Sequence, residues 1–260
     1  MGEGDVTWVG LVASLSLIAV AAGISLRERL GLERDMVISV VRSAAQLLLV
    51  ALALQVVVDP DTPLFWSWLW VAGIVVFAAV TVRRRAPQLP GVLEIALLAN
   101  AVTAAVALGL TFGLGIFPVD GRTVVPVAGM VVGNSMKSCV VVVTALAGLM
   151  ADRRPEIEAR LALGLPGVDA ARPQVRRALR LAISPQIENT KALGIVFLPG
   201  AMTGLILAGV DPLDAVLVQL AVMWIILGAV VVTTATTALA GTRRLFTPDQ
   251  RLRHLARERS

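Results

Sequence analysis

Seven long apolar runs divide this 260-residue chain, and polar connectors separate them. The runs are continuous rather than alternating, which predicts helices and not the strands of a membrane barrel. Each run is roughly 18–27 residues long, and a helix needs about 20 residues to cross the hydrocarbon core of a bilayer. We therefore predict an all-α, polytopic membrane protein with about seven transmembrane helices, over Thr7–Leu26, Met36–Val58, Leu64–Val82, Val92–Leu114, Val124–Met150, Leu193–Val210 and Leu213–Leu239.

The sixth run differs from the others because it is short and contains several residues that interrupt helices. Only Asp211 and Pro212 separate it from the seventh run. Two interpretations stay open at this point: the pair crosses as a tight hairpin, or the sixth run is a broken or re-entrant segment. The interrupting residues are Gly194, Pro199, Gly200, Gly204 and Gly209.

Positive charge is concentrated on one side of the predicted membrane. Alternate connectors and the C-terminal tail hold 20 lysines and arginines, whereas the opposite connectors hold Arg122 alone. Because cytoplasmic loops are enriched in Lys and Arg, we predict an outside N-terminus and a cytoplasmic C-terminus in the plasma (inner) membrane. An odd number of spans agrees with this. The predicted organisation is a permease domain over 1–242, with a cytoplasmic coupling loop over 151–192, followed by a basic cytoplasmic tail over 243–260.

Composition excludes several classes of function. The net charge of +5 does not indicate nucleic-acid binding, because the positive residues lie in short connectors between apolar runs. The single cysteine, Cys139, and the single histidine, His254, are too few for a zinc site or a conventional hydrolase. Neither lysine, Lys137 or Lys191, follows a glycine, so the chain has no Walker A loop. We predict that the chain is not an enzyme and binds no cofactor itself.

The polar segment between the fifth and sixth runs predicts two short helices. The first covers Pro155–Gly164 and is closed by Gly164. The second has Asp169 as its N-cap and ends before Ser184-Pro185. Apolar residues recur along the second helix at a spacing of four, and four arginines fall on its other sides: Arg172, Arg176, Arg177 and Arg180. Such a helix either docks in a groove of a cytoplasmic partner or lies on anionic lipid headgroups.

Several polar residues lie within the predicted spans. A central lysine costs at least about 2.5–3.5 kcal/mol, so Lys137 is expected to face the protein interior and to find a partner, for which Glu94 is a candidate. Alternatively, the span is shifted and Lys137 reaches the cytoplasmic interface. Snorkelling is the simpler interpretation of Arg42, and interhelical hydrogen bonding that of the amides. The candidate path residues are Arg42, Gln46, Asn134, Met136, Lys137, Met202 and Gln219.

Metal ligands are sparse in these spans. Thioether sulfur is a soft ligand, which makes Met130, Met136 and Met202 candidates. Methionine in apolar helices usually serves packing instead. The sequence therefore leaves the identity of any metal ligands unknown.

Four segments together resemble one family. They are Arg42-x-x-x-Gln46-Leu47, Gly129-Met130-x-x-Gly133-Asn134-x-Met136, Glu158-x-x-Leu161-Ala162-Leu163-Gly164, and Leu198-Pro199-Gly200-x-Met202-Thr203-Gly204 continuing to Gln219. On these residues the chain resembles the FetB-type permeases, ABC transporter membrane subunits that include bacterial iron exporters; plant aluminium-resistance permeases are similar. The loop also resembles the coupling segment of ABC importers. Lys137 departs from the family pattern, where a small or hydroxyl residue is expected.

The resemblance implies a transport subunit that works with a separate cytoplasmic ATPase. It implies a homodimer in lipid, export of iron or a related metal, ATP and Mg²⁺ held by the ATPase, and coupling through Glu158, Gly164 and the loop arginines. A nucleotide-sugar permease is the alternative that the plant relatives suggest. A proton-coupled secondary transporter, with Lys137 and Glu94 in the relay, and a scaffold without transport are the other hypotheses.

Overall fold

A computed structural model describes residues 8–57, 62–194 and 198–253, and its regular structure is helical. No strand forms within these ranges, so the all-α prediction is confirmed. Thr7, Val58 and the tail from His254 onward lie outside the described residues. The helices are α1 (Trp8–Arg27), α2 (Glu33–Val57), α3 (Phe65–Arg85), α4 (Val92–Gly113), α5 (Gly121–Asp152), α6 (Arg154–Ala162), α7 (Gly167–Ala170), α8 (Arg172–Lys191), α9 (Gly200–Leu207) and α10 (Pro212–Leu245).

The chain forms two compact units, and the first, Met1–Thr62, contains α1 and α2. The connection between these helices is closed by Ser25, whose hydroxyl donates to Glu33 (3.1 Å) and accepts from the Leu32 amide (3.1 Å). Both helices are apolar, and their side chains are largely exposed within this unit. Exposed apolar helices of this kind need lipid or other protein around them.

The second unit, Pro63–Ser260, is built on four long helices that pack together: α3, α4, α5 and α10. Buried residues from the end of α3, the start of α4 and the ends of α5 and α10 share one cluster, so α3, α5 and α10 run in the same direction and α4 runs opposite. We call this the basic end, because Arg83–Arg85, Arg153, Arg243 and Arg244 lie there. The other end carries Asp120, Asp211 and Asp214 and is called the acidic end.

Capping by aspartate fixes where two helices begin at the acidic end. Asp120 accepts from the Thr123 amide (2.8 Å), and Asp211 accepts from the Leu213 amide (2.9 Å). Each carboxylate satisfies an amide that has no partner in the first helical turn. Hydrogen bonds from the Thr123 side chain and amide lower the pKa of Asp120. The Asp120 cap therefore stays charged at neutral pH.

In the part of the chain that the structure describes, five helices are long and apolar enough to cross a membrane: α2, α3, α4, α5 and α10. Within the described residues α1 contributes a shorter apolar stretch, Val12–Arg27. At about 1.5 Å per residue, the 32 residues of α5 and the 34 of α10 extend about 48 and 51 Å, well beyond a hydrocarbon core of about 30 Å. Since the most apolar run of α10, Leu213–Val232, begins at the acidic end, its basic end projects beyond the core.

A polar seam lies inside the apolar bundle, between α4, α5 and α10. The Thr103 and Thr233 hydroxyls are 2.6 Å apart, and the Cys139 sulfur is 3.3 Å from the Thr237 hydroxyl. Each hydroxyl has one hydrogen, so one threonine donates to the other across the interface, and the accepting threonine donates to a backbone carbonyl of its own helix, that of Ala99 or Ala229. These buried contacts join α10 to α4 and to α5 where nonpolar packing alone fixes register weakly.

Replacement of Thr103 by valine is expected to destabilise the α4–α10 contact by about 0.6–1.7 kcal/mol, the range for interhelical hydrogen bonds in membranes. Thermal unfolding in detergent measures the change. Thr111→Val is the matched control, because Thr111 is also buried on α4 and bonds the carbonyl of Ala107 in its own helix. Equal losses from the two variants would show that the contact with Thr233 contributes nothing.

Helix α8 is longer than predicted and packs along the bundle. It continues through Pro185 to Lys191, so the predicted end before Ser184-Pro185 was wrong. Packing against α5 and α10 holds the helix together across Pro185 and outweighs the lost hydrogen bond. Its buried residues are Gln174, Ala178, Ala182 and Gln186, and the predicted apolar face of Val175, Leu179 and Ile183 lies half-buried beside them.

The path of α8 places its C-terminal end beside the middle of α10. Ala170 and Ala171, just before α8, belong to the cluster at the basic end. Leu193, just after α8, packs against the cluster of Val222, Met223, Ile226 and Val230. The 20 residues of α8 thus rise about 30 Å along α10, from the basic end to the level of its apolar run.

The predicted sixth span contains only a short helix among its described residues. Helix α9 has eight residues, about 12 Å, and Leu198 and Pro199 before it are not helical. Gly194 and Gly209 flank it with positive φ angles of 81° and 86°. Of the two interpretations left open by the sequence, the broken segment is the one that these residues favour.

Candidate functional site

Helices α6 and α7 form a compact elbow at the basic end. The guanidinium of Arg154 lies 2.7 Å from Glu158, and that of Arg160 lies 2.7 Å from Glu156. Helix α6 ends at Ala162, and Gly164, the predicted closing residue, follows with a φ of +87°. The Gly164 amide donates to Leu161 and the Leu165 amide to Arg160, a Schellman ending that favours glycine at the left-handed position.

The elbow and α8 enclose a strongly basic concavity of about 940 Å³. Asp169 is the only carboxylate in its lining, so the concavity favours an anionic partner. The predicted role of Asp169 as the N-cap of the second helix was wrong: Asp169 lies within α7, and Ala171 precedes α8 without a side-chain cap. The arginines of the lining are Arg160, Arg172, Arg176, Arg177 and Arg180.

Exposed polar side chains also occur on two other elements, α5 and the C-terminal half of α8. Lys137, midway along α5, is exposed, and so are Glu188, Asn189 and Lys191 on α8. Lys191 lies 2.9 Å from the Glu188 carboxylate. We call these four residues the polar face. Lys137 lies midway along a helix of spanning length, and charged side chains at membrane depth face protein or water rather than lipid.

Glu94 is not available as the predicted partner of Lys137. It lies at the basic end, in the first turn of α4, and its carboxylate accepts a hydrogen bond from Arg244 of α10. The carboxylate thereby joins α4 to the end of α10. Because Glu94 pairs with Arg244, the structure gives no reason to place Glu94 and Lys137 together in a proton relay.

The other predicted path residues belong to both units of the chain. Arg42 and Gln46 are exposed on α2 in the first unit. Asn134 is half-buried and donates to the Met130 carbonyl (2.8 Å). Gln219 is buried on α10, and its side-chain oxygen has no hydrogen-bond partner among the described residues.

Two of the three candidate methionines pack in apolar surroundings. Met130 and Met136 are half-buried and pack against apolar clusters, and Met202 is half-buried on α9. Within the described ranges no group of three His, Cys, Asp or Glu residues could hold a metal ion. The geometry thus offers a basic concavity and a polar face rather than a closed metal cage.

The model of the Uncharacterised protein family (UPF0014) matches residues 8–246, and this range contains every helix described above. The chain belongs to the UPF0014 family. The predicted resemblance is thereby confirmed, because UPF0014 relatives include the proteins on which it rested. With five apolar helices of spanning length, this UPF0014 member is a multi-pass membrane protein.

Three UPF0014 relatives illustrate the range of the family. The UPF0014 membrane protein STAR2 of Oryza sativa subsp. japonica is 37% identical over 84% of this chain and 76% of its own length. Protein ALUMINUM SENSITIVE 3 of Arabidopsis thaliana is 32% identical over 92% and 88%. The "Probable iron export permease protein FetB" of Escherichia coli (strain K12) is 29% identical over 97% of each chain. No solved structure gives a significant match.

Sequence reasoning missed a contact between the α7 end of the elbow and the segment that follows α10. The predicted domain boundary after residue 242 falls inside α10, which continues to Leu245. Phe246, directly after the helix, is buried against Gly167. The sequence of this UPF0014 chain offered one signal for this contact: two apolar residues, Phe246 and Leu252, in an otherwise basic tail.

Replacement of Gly167 by alanine is expected to destabilise the protein by about 1–3 kcal/mol, the usual cost of overpacking. A methyl group there would lie 2.6 Å from ring atoms of Phe246, so the ring or the elbow must shift. Thermal unfolding in detergent measures the loss. Gly148→Ala on α5 is the control, since nothing lies within 4 Å of its added methyl group. A cost that persists unchanged in a Phe246→Ala background would contradict the assigned contact.

Proposed function

We propose that this chain is the membrane-spanning permease subunit of an ABC transporter and that the basic end receives a separate ATPase. The observation that carries the proposal is the elbow: a rigid pair of helices with Glu158 and Gly164 in coupling-segment order, beside five arginines. A transport ATPase subunit is cytoplasmic, so it must bind a folded part of its permease that lies outside the membrane. The FetB relative, described as a permease, supports the same function.

The charge distribution supports a location in the plasma membrane with the basic end facing the cytoplasm. We further propose seven crossings, with the N-terminus outside. In this arrangement the sixth crossing is composite: it begins inside the predicted coupling loop 151–192, and the C-terminal half of α8 and the short helix α9 share it. The 30 Å rise of α8 toward the middle of α10 makes such a crossing physically consistent.

The polar face supports a homodimeric permease. Two copies with their polar faces toward a common axis would keep Lys137, Glu188 and Lys191 out of lipid and line a hydrated path. Within this face Glu188 provides a carboxylate, the kind of oxygen ligand that a hard metal cation prefers, and a bound cation would displace Lys191 from it. Export of iron or a related metal, in line with the FetB relative, is therefore the proposed transport reaction.

Lys137 favours a second cargo. A fixed ammonium repels cations unless it is paired, whereas it attracts phosphate. An anionic cargo such as a nucleotide sugar is the alternative that this residue supports. The charge of the cargo thus depends on whether Glu188 or Lys137 dominates the path.

Co-purification tests the proposed partnership. The tagged chain, solubilised from its native host, is expected to bring down a protein that carries a Walker A loop and hydrolyses ATP. The complex in lipid is then assayed for stimulation by ferrous iron and by nucleotide sugars separately. Recovery of the chain with no ATP-hydrolysing subunit would contradict the proposal.

A further inference from the structure

The segment after α10 is a closed turn, which we call the C-terminal turn and define as residues 246–253. Phe246 pairs with Leu252 in an antiparallel bridge, and the Arg253 amide donates a hydrogen bond to the Leu245 carbonyl (2.8 Å). Inside the turn, the Thr247 amide donates to Arg251 (2.9 Å) and the Gln250 amide to Thr247 (2.9 Å). These bonds satisfy the backbone locally, so the turn has a defined shape rather than that of a solvated tail.

The C-terminal turn is fixed to the elbow by polar and apolar contacts. The Arg154 guanidinium donates to the Leu252 carbonyl (3.1 Å) while it also pairs with Glu158. The Gly167 amide donates to the Gln250 side chain (2.7 Å). Phe246 and Leu252, 8% and 5% exposed, join the same buried cluster as Ile157 of α6. The turn therefore holds both α6 and α7.

A concavity of about 780 Å³ lies between the elbow and the turn. Glu158, Leu161 and Gly164 line it from the elbow, and Asp249, Gln250 and Arg251 line it from the turn. Leu165, 38% exposed, also lines this concavity, and Leu163, two positions earlier in the chain, is 80% exposed. Exposed apolar side chains on a rigid projection mark a surface that another protein covers.

We propose that the C-terminal turn is part of the surface that docks the ATPase, so that the receiving subunit contacts a composite of elbow and turn. This inference rests on the proposed function and extends it to residues outside the coupling segment. The occupant is the ATPase because Glu158 and Gly164, the residues in coupling order, form the opposite wall of the same concavity. The basic concavity lies beside it. An ATPase face that fits both features has carboxylates that meet the arginines and an apolar recess that receives the exposed leucines.

Site-specific cross-linking of the full chain tests the composite surface. A Cys139→Ser background removes the native thiol and retains a hydroxyl near Thr237. Single cysteines are introduced by Asp249→Cys on the turn, Leu163→Cys on the elbow and Arg85→Cys at the end of α3. All three positions are exposed, and Arg85 lies outside both concavities. Each variant carries a benzophenone maleimide and is irradiated with the co-purified ATPase in nanodiscs.

The expected result is a cross-link to the ATPase from both the turn and the elbow positions, each at least tenfold above the Arg85→Cys control. A cross-link from the elbow but not from the turn would overturn this inference and leave the proposed function intact. Cross-links from neither position would overturn both.

An affinity measurement supplies a second readout that does not depend on cross-linking chemistry. Arg251→Glu, on the exposed side of the turn, is expected to weaken ATPase binding at least tenfold, whereas Arg85→Glu has no effect. Unchanged thermal unfolding shows that each variant is folded. Equal affinity in the two variants would count against the turn as a docking element.

Discussion

Reversal of two arginines, Arg176→Glu with Arg177→Glu, is expected to weaken ATPase binding at least 100-fold. Both side chains are exposed on α8 and line the basic concavity beside the elbow. Reversal places like charges against the carboxylates expected on the partner, which costs several kcal/mol, and 100-fold corresponds to about 2.7 kcal/mol. Titration of the purified ATPase onto the permease in nanodiscs measures the change.

The matched control is Arg83→Glu with Arg84→Glu, which makes the same change of charge at the basic end of α3, outside the basic concavity. Binding to this control is expected to match the wild type. Higher salt should weaken wild-type binding more than binding to the α8 double variant. If the two double variants lost affinity equally, net charge rather than the concavity would determine binding.

Replacement of Glu188 by glutamine is expected to lower metal-stimulated transport at least tenfold while ATPase binding stays normal. Glu188 is the carboxylate of the polar face, so its loss leaves a metal cation without an anionic oxygen there. The amide retains the size of the side chain, and the helix remains packed through its opposite side. ATP-driven uptake of ferrous iron into inside-out vesicles measures the effect.

Lys137→Met is the contrasting variant, since it removes the positive charge from the same face. It is expected to leave iron transport intact or to raise it, because a repelling ammonium is removed. Membrane insertion also improves, by roughly 2.5–3.5 kcal/mol on insertion scales. The opposite pattern, with transport lost in Lys137→Met and retained in Glu188→Gln, would contradict a cationic cargo and indicate an anionic one.

Helices whose length and apolar composition are imposed by the membrane were predictable from the sequence. Long apolar runs located α3, α4, α5 and α10, because a membrane core imposes both length and composition. The end of α6 was equally local, since a glycine at positive φ closes the helix. These features depend on neighbouring residues alone.

Features that depend on tertiary packing were not predictable in the same way. Pro185 is a strong signal for the end of a helix, yet α8 continues because α5 and α10 hold it. Glu94 was a candidate partner of Lys137, but its carboxylate accepts a hydrogen bond from Arg244, because the start of α4 and the end of α10 meet at the basic end. The C-terminal turn was predicted to be part of a basic tail, because its two buried apolar residues, Phe246 and Leu252, are isolated among polar residues in the sequence.

Measurement of ATP-driven metal flux by the purified, reconstituted complex tests the central claim most directly. Proteoliposomes contain this chain with its co-purified ATPase, or this chain alone, and ferrous iron flux is followed with and without Mg-ATP. The account predicts flux only when both subunits and hydrolysable ATP are present. Flux from the chain alone, driven by a proton gradient and independent of ATP, would contradict it.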